Sequence, residues 1–380
     1  MLTIEFELTR NSELEPRTRN SKRIKRLVPE PATFSSVAAF SLLAFMGSVK
    51  LIFQRQYEIC FHRKDVSMSK PSKIWPIVVY PFAQPRNLSS LGLLYAKLAD
   101  LNKEDLFHKP VTVLNNQTKY RSSDPASKDP QLKGAYTEAM KDIVSPVSAL
   151  TETWAVDTCA MWLRGLGDAF QQAETEGAIH DVFWLIPGDF DYSTKEGLEA
   201  LDQVSKIPLR VHKAECELCL GEITVPLNSA KQLIDTYGTY GLLYNWFPAE
   251  AQGIREVTDK PRTEFFALNS ETLKQALIPN RWYAYEQTLM ILLQNMNGRV
   301  PVRRIAKVRL GSITDPEAAR SSLASAMQQV ERTERALKLY WRELAERQGR
   351  LNWHDEFRAL DAQSESVRTA AMVILRRLLA

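Results

Sequence analysis

The feature that most constrains the fold is a short apolar run, Val182 to Ile186, followed closely by two carboxylates at Asp189 and Asp191. The run has no polar face, which is typical of a central strand that is covered on both sides. Pro187 and Gly188 end it. The two aspartates are therefore predicted to lie at the carboxyl end of a central strand, where open α/β sheets bind ligands.

Two carboxylates on alternate residues can share one hard divalent cation, Mg²⁺ or Mn²⁺, and that cation can bridge a diphosphate. An isolated Asp-x-Asp in a loop is more often a solvated turn, but its place after a buried strand favours the metal site. The segment Ser193-Thr-Lys-Glu196 has the pattern of a capping box, so a helix is expected to start directly after the pair.

The rest of the chain alternates between strand and helix patterns. Strands are predicted at 74–80, 111–114 and 218–225, with amphipathic helices between them. This alternation predicts the α/β class, with a mostly parallel sheet flanked by helices on both faces over residues 68–313.

The C-terminal part, residues 314–380, is predicted to be a helical extension. An apolar stripe extends from Leu323 to Leu344 between charged residues. Such a stripe favours packing on its own domain or on a helix of a second copy, and the second arrangement would make a homo-oligomer. The last helix combines an apolar face with Arg376 and Arg377, so contact with a membrane surface is a secondary expectation.

Composition excludes some classes of function. The net charge of +4 arises from residues 1–67, and residues 68–380 are neutral overall, so no nucleic-acid partner is expected. Four cysteines are too few for a disulfide framework in 380 residues, which favours a reducing, cytoplasmic compartment. Cys216 and Cys219, with His212 before them, would suit zinc or redox chemistry, but no second pair completes a zinc site and a role as apolar strand residues is favoured.

Residues 1–67 differ from the body of the chain, with an apolar span flanked by basic residues. Val28-Pro-Glu-Pro-Ala-Thr33 and the span after it resemble a PEP-CTERM sorting signal, although such a signal belongs at a C-terminus. Met68 looks like a natural start. The leader is therefore interpreted either as read-through from upstream sequence or as a signal anchor at the inner membrane, and in both cases as separate from the folded domain.

The last third adds two groups of charged residues. One is Asp259-Lys-Pro-Arg-Thr-Glu264, which precedes an apolar strand, and the other is Glu286, which stands ahead of an apolar helix. An acid in that position is often only a partner of the helix dipole. The arginines between Arg299 and Arg309 suit phosphate oxygens, but their alternation with apolar residues also fits an edge strand.

The order of these motifs resembles family 2 glycosyltransferases, which have a GT-A fold, and within them the polyprenyl-phosphate sugar synthase branch. The resemblance covers roughly residues 74–312. The motifs that carry it are Asp-x-Asp after a strand, Asp259-Lys-Pro-Arg, Tyr285-Glu-Gln-Thr-Leu and Arg299-Val-Pro-Val-Arg. The chain departs from the family at Tyr80-Pro-Phe-Ala-Gln, where an acid is expected, and at Leu114-Asn-Asn-Gln, where acids are expected.

The resemblance implies roles for individual residues. Asp189 and Asp191 would hold the metal and the nucleotide diphosphate. Arg309, with Arg303 or Arg304 as additional candidates, would match the phosphate-contacting basic residues after the last helix. Asn115 stands where the family holds the base and ribose of the donor. Glu286 stands at the acidic position that opens the helix, as a base or as an orienting group.

The resemblance, together with the Asp pair, implies a metal-dependent, inverting hexosyltransferase. It would move a sugar from a nucleotide-sugar donor to a sugar, to another hydroxyl acceptor or to a polyprenyl-phosphate acceptor. A hydroxyl acceptor would need a base, for which Glu286 is the best candidate, whereas a phosphate would not. Two alternatives remain open: a non-catalytic nucleotide-sugar-binding or scaffold protein on the same fold, and a sugar nucleotidyltransferase.

Overall fold

A computed structural model gives the course of the chain. It describes residues 73–80, 87–101, 105–114, 147–149, 158–178, 180–188, 190–224, 229–277, 286–300, 302–313 and 323–379. The leader, together with Asp189 and Asn115, lies outside these residues.

Seven strands form one sheet in the described part of the chain. They are β1 (Ile74–Tyr80), β2 (Val111–Leu114), β3 (Val147–Ala149), β4 (Val182–Pro187), β5 (Leu218–Ile223), β6 (Phe266–Asn269) and β7 (Ile305–Gly311). Their order is β3-β2-β1-β4-β6-β5-β7. All pairs are parallel except those of β6, which runs antiparallel to β4 and β5. The predicted α/β class with a mostly parallel sheet is therefore confirmed.

The helices connect and cover the strands. They are α1 (Asn87–Leu101), α2 (Thr158–Glu176), α3 (Lys195–Val204), α4 (Lys206–His212), α5 (Ala230–Leu233), α6 (Tyr240–Trp246), α7 (Pro248–Val257), α8 (Ser270–Leu277), α9 (Gln287–Met296), α10 (Leu323–Arg347) and α11 (Trp353–Leu379). A π-helical turn, Ile234–Thr239, joins α5 to α6. Among the described helices, none combines the length and the hydrophobicity that a membrane-spanning segment requires.

Strand β4 is central and buried along its whole length, as its apolar sequence predicts. Its successive side chains point to opposite faces of the sheet. Phe183 packs against Phe170 of α2 at 5.9 Å between ring centroids. Trp184 belongs to the core on the other face, which it shares with residues of α1, α3 and α4. Because both faces are covered, the polar groups that follow the strand are confined to the edge of the sheet.

Helices α10 and α11 form an antiparallel hairpin. The ion pairs Lys338–Asp361 and Arg368–Glu334 join the two helices in opposite order along the chain, which fixes their antiparallel course. The stripe predicted on α10 is buried at Val330, Leu337 and Trp341. The hairpin packs on its own domain, where Asn245 Nδ2 of α6 donates to the carbonyl of Leu360 at 3.0 Å.

Candidate functional site

The carboxyl ends of the parallel strands meet at one edge of the sheet, which we call the carboxyl edge. Strands β1, β2, β4, β5 and β7 all end there, and the antiparallel β6 begins there. The loop after β4, which carries Asp191, therefore lies beside the segment Thr258–Phe265 that leads into β6. Phe190 and Phe265 make the contact directly, edge to face, with ring centroids 5.0 Å apart.

The loop after β4 is held in place by buried hydrogen bonds. Ser90 of α1 donates its hydroxyl to the carbonyl of Phe190 at 2.9 Å and accepts the backbone N–H of Tyr192 at 2.7 Å. The Tyr192 hydroxyl in turn donates to the carbonyl of Pro187 at 2.7 Å. Asp191 stands between the two residues that Ser90 bridges, so its backbone position is fixed before any ligand binds.

The Asp191 carboxylate is partly exposed and has one oxygen engaged. Its Oδ1 accepts the backbone N–H of Ser193 at 2.9 Å and the Ser193 hydroxyl at 2.5 Å. Its Oδ2 makes no hydrogen bond within the described part of the chain. Because Ser193 bonds to Asp191, the residue that caps α3 is Thr194, whose hydroxyl accepts the N–H of Gly197 at 3.0 Å. The helix starts directly after the pair as predicted, but the predicted capping residue was wrong by one position.

Gly197 allows α3 to lie against this loop. A Cβ at this position would stand 2.8 Å from Cα of Tyr192 and closer still to the carbonyl oxygen of Asp191. Real Cβ atoms essentially never make such contacts. The first turn of α3 therefore touches the backbone of the predicted metal-binding residue.

Asp191 is the described residue at this site that could coordinate a divalent cation. A carboxylate oxygen that keeps its lone pairs is the donor that Mg²⁺ and Mn²⁺ prefer, and both ions keep several water or phosphate ligands. The residues described around Asp191 contain no cluster of three or more acids, histidines or cysteines that would enclose an ion. The chemistry fits an open site that a ligand completes, with Asp189 as the second predicted ligand.

The segment Thr258–Phe265 is tied to the end of β5. Thr263 donates its hydroxyl to the carbonyl of Gly221, and the N–H of Gly221 donates to the carbonyl of Phe265 at 2.7 Å. Thr258 donates its hydroxyl to Glu222 Oε1 at 2.6 Å. These hydrogen bonds fix the position of the segment at the carboxyl edge, where it forms one wall of the candidate site.

A buried charge cluster extends this wall. Glu286 Oε2 accepts Nε of Arg262 at 3.0 Å, and Glu286 Oε1 accepts Nε of Arg332 at 2.8 Å. The side chains of Arg262 and Glu286 are only 8% and 5% exposed, whereas that of Arg332 is 28% exposed. Arg332 lies on α10, so the C-terminal hairpin contributes a side chain to the cluster. We call Arg262, Glu286 and Arg332 the arginine–glutamate triad.

The triad sets the protonation state of Glu286. Burial alone would raise the pKa of its carboxyl group, but the Arg262 and Arg332 guanidiniums outweigh burial and hold the pKa below its ordinary value. The carboxylate occupies the N-cap position of α9 without capping that helix. Both oxygens of the Glu286 carboxylate are therefore bonded to arginines, and the side chain makes no capping hydrogen bond to α9.

Arg309 lies in β7 with an exposed side chain, near the carboxyl edge and in register with Glu222. Arg304 lies at the other end of β7, where its Nη2 pairs with Glu217 at 3.0 Å. Strand β7 is the last strand in the sheet order, so the alternation of arginines with apolar residues reflects an edge strand. Of the candidate arginines in this strand region, Arg309 is the one that reaches the carboxyl edge.

The sequence interpretation missed Arg332 and Ser90 as contributors to the site. Arg332 lies on a helix whose pattern indicated only packing, and its partner Glu286 is 46 positions away in the chain. Ser90 lies in a helix that showed only apolar spacing, 100 positions from Phe190. Contacts over such separations leave no signal in a single sequence.

Cys216 and Cys219 are buried free thiols. Cys219 lies in β5, in agreement with its interpretation as an apolar strand residue, whereas Cys216 lies two residues before that strand. The described residues bring no third metal ligand to them.

No family model matches the chain, and no curated protein matches its sequence significantly. Among solved structures, mannosyl-3-phosphoglycerate synthase from Rubrobacter xylanophilus is similar, with 13% identity and a TM-score of 0.45. The similarity covers 74% of this chain and 76% of that chain. The α/β class follows independently from the strand order and strand directions of the chain itself.

Proposed function

We propose that the chain is a metal-dependent glycosyltransferase of GT-A type that takes its sugar from a nucleotide-sugar donor. The observation that carries the proposal is the position of Asp191 at the carboxyl end of a central strand, in a loop fixed by Ser90, with one carboxylate oxygen left for a ligand. Ligands of open α/β sheets bind at this edge.

In this proposal Asp191, with Asp189, holds Mg²⁺ or Mn²⁺ and through it the diphosphate of the donor. The cation would neutralise the charge that develops on the departing nucleoside diphosphate. Arg309 supplies a further positive charge at the same edge. Thr258–Phe265 and α10 would line the part of the cleft where the acceptor binds. The acceptor would then attack the anomeric carbon in line, which inverts the configuration at that carbon.

The contacts of Glu286 favour the orienting role over the role of base. A general base works best when its pKa is near the operating pH, and the pKa of Glu286 is lowered instead. Taking up a proton would also neutralise the one carboxylate that pairs with both arginines in a buried site. An acceptor that is already ionised, such as a polyprenyl phosphate, fits such a site better than a neutral hydroxyl.

The test is binding of nucleoside diphosphates to the wild-type chain and to Asp191→Asn, each with Mn²⁺ and with a chelator. We expect the wild type to bind one nucleoside diphosphate tightly in Mn²⁺ and the variant to bind it at least tenfold more weakly, since the metal loses an anionic ligand. In chelator the two proteins should bind alike. Equal loss under both conditions would mean that Asp191 has a structural role only.

A non-catalytic scaffold would bind the nucleotide sugar without releasing the nucleoside diphosphate. A sugar nucleotidyltransferase would release pyrophosphate instead. Incubation with the bound nucleotide sugar, followed by analysis of the products, separates the three functions.

A further inference from the structure

Two thiols that the proposed reaction does not use, those of Cys216 and Cys219, lie together in the core. We propose that they form a disulfide reversibly when the chain meets a small disulfide oxidant such as oxidised glutathione. The amino end of β5 would then be a redox-sensitive site. The inference goes beyond the proposed function and does not depend on it.

The first argument is the direction of the two side chains. Residues three apart in a regular strand point to opposite faces of the sheet. Cys216 and Cys219 nevertheless belong to the same core, because the chain bends at Glu217, directly before β5. Their thiols form a hydrogen bond with each other. A disulfide needs Cα atoms within about 7 Å and Cβ atoms that face each other, and the bend permits this approach.

The second argument is that hydrogen bonds hold the bend in place. The N–H of Glu217 donates to the carbonyl of Arg304 at 3.1 Å, and the N–H of Asn269 donates to the carbonyl of Glu217 at 3.2 Å. Oε2 of Glu217 accepts the N–H of Arg304 at 2.7 Å. The bend is thus fixed between the end of β6 and the start of β7. The two thiols are therefore held together before any oxidant arrives, so little further ordering is needed to join them.

The third argument is the chemical asymmetry of the pair. The hydrogen bond from Cys219, helped by the guanidinium of Arg210, outweighs burial and lowers the pKa of Cys216 below its ordinary value. The same hydrogen bond, together with burial, raises the pKa of Cys219. The thiolate is the form that attacks a disulfide. Cys216 is therefore the attacking thiol, and Cys219 is the thiol that resolves the mixed disulfide.

Access to Cys216 depends on the turn before it. Cys216 is only 2% exposed, so an oxidant reaches it when this turn opens. The turn, Lys213 to Glu215, is exposed and contains Ala214 with a φ of 54°, a conformation that residues other than glycine seldom adopt. Local opening of an exposed segment costs far less free energy than unfolding of the sheet. We therefore expect oxidation that is slower than that of an exposed thiol but that occurs in the folded chain.

The reaction consists of two exchange steps. The Cys216 thiolate attacks one sulfur of oxidised glutathione, the glutathione S–S bond breaks, and one glutathione thiolate leaves and takes up the proton that Cys216 released. Cys219 then loses its proton, attacks the Cys216 sulfur and expels the second glutathione thiolate, which takes up that proton. Two cysteine thiols are oxidised to one disulfide, and one oxidised glutathione is reduced to two thiols.

The test equilibrates the full chain at neutral pH in buffers with different ratios of reduced to oxidised glutathione. The samples are quenched with acid, denatured, alkylated and digested with trypsin. The tryptic peptide 214–231 contains both cysteines, so its mass reports their state directly. We expect this peptide to change from doubly alkylated to unalkylated, lighter by two hydrogen atoms than the dithiol, as the buffer becomes more oxidising. Return to the reducing buffer should restore the alkylated form.

Variants assign the two roles. Cys219→Ser keeps a hydroxyl donor beside Cys216 but cannot resolve the mixed disulfide, so its peptide should carry one glutathione. In Cys216→Ser, Cys219 should remain a free thiol. Arg210→Gln should move the pH dependence of the oxidation rate to higher pH, because Cys216 loses a neighbouring positive charge. Arg342→Gln, which removes an exposed arginine paired with Glu346, is the matched control and should leave the rate unchanged.

Tryptophan fluorescence in each buffer verifies that the chain stays folded. The proposal is wrong if the folded chain keeps both thiols in the most oxidising buffer, or if the disulfide forms only after urea has unfolded the chain. Equal pH dependence in Arg210→Gln and Arg342→Gln would overturn the role given to Arg210. These measurements need no nucleotide sugar, so their outcome is independent of the proposed glycosyl transfer.

Discussion

Replacing Glu286 by glutamine should destabilise the chain far more than most substitutions that remove one charge. The change keeps the shape of the side chain and leaves Arg262 and Arg332 without their shared anion. Removing one partner of a buried ion pair costs about 3–5 kcal/mol. Because Arg332 is 28% exposed and can be solvated, we expect a loss near the lower limit, about 3 kcal/mol.

The free energy of unfolding that Glu286→Gln loses relative to the wild type should become smaller at acidic pH. The folded-state pKa of Glu286 is lowered below its ordinary value of 4.5, so its carboxylate contributes stability that is fully present above that value. This contribution disappears as the pH falls through the folded-state pKa. The difference in stability between wild type and Glu286→Gln should therefore be constant at neutral pH and shrink only below about pH 4.5.

The assay is urea denaturation followed by tryptophan fluorescence, at neutral pH and at several acidic values. Glu346→Gln is the control, because Glu346 has an exposed pair with Arg342 that should contribute only about 0.3–0.5 kcal/mol. If Glu286→Gln costs no more than Glu346→Gln, or if its cost stays the same down to pH 3, the account of the triad is wrong.

Two further substitutions test how the loop of Asp191 is held. Ser90→Ala removes the acceptor of the Tyr192 N–H and the donor to the Phe190 carbonyl, and should lower the free energy of unfolding by about 1–3 kcal/mol in urea denaturation. The control Thr175→Ala, on an exposed helix surface, should change it by less than about 0.5 kcal/mol. Gly197→Ala should cost about 1–3 kcal/mol by overpacking against Tyr192, and it should weaken nucleotide binding in Mn²⁺. Gly167→Ala in α2 meets open space and should be neutral or stabilise by about 0.5–1 kcal/mol, so equal effects at the two glycines would contradict the packing described here.

The sequence was sufficient to predict the elements that have a strong local pattern. Val182 to Pro187 is buried because it has no polar face, and the α/β class follows from the alternation of such runs with helices. The direction of β6 was not predictable, because a strand of four residues carries no sign of whether its neighbours run parallel to it. The cap of α3 was predicted one position early, because Ser193 and Thr194 are both good caps and only the side chain of Asp191 decides between them.

The candidate site was predictable to the extent that its residues follow strands. Asp191 and Arg309 were predicted as candidates because each stands near the end of a strand pattern, and the structure places both near the carboxyl edge. The environment of Glu286 was not, because its two partners come from different parts of the chain, 24 and 46 positions away. An acid before an apolar helix has the same sequence whether it caps the helix, accepts a proton or joins two arginines, and only tertiary contacts distinguish these roles.

The most direct test of the central claim is to incubate the full chain with a panel of nucleotide sugars and measure release of nucleoside diphosphate. Mn²⁺, Mg²⁺ and chelator are compared, and Asp191→Asn is measured beside the wild type. The account predicts that one nucleotide sugar binds and releases its nucleoside diphosphate slowly in the presence of metal, and that chelator and Asp191→Asn each abolish the release. Release that is equally fast in chelator and in Asp191→Asn, or no binding of any nucleotide sugar, would contradict it.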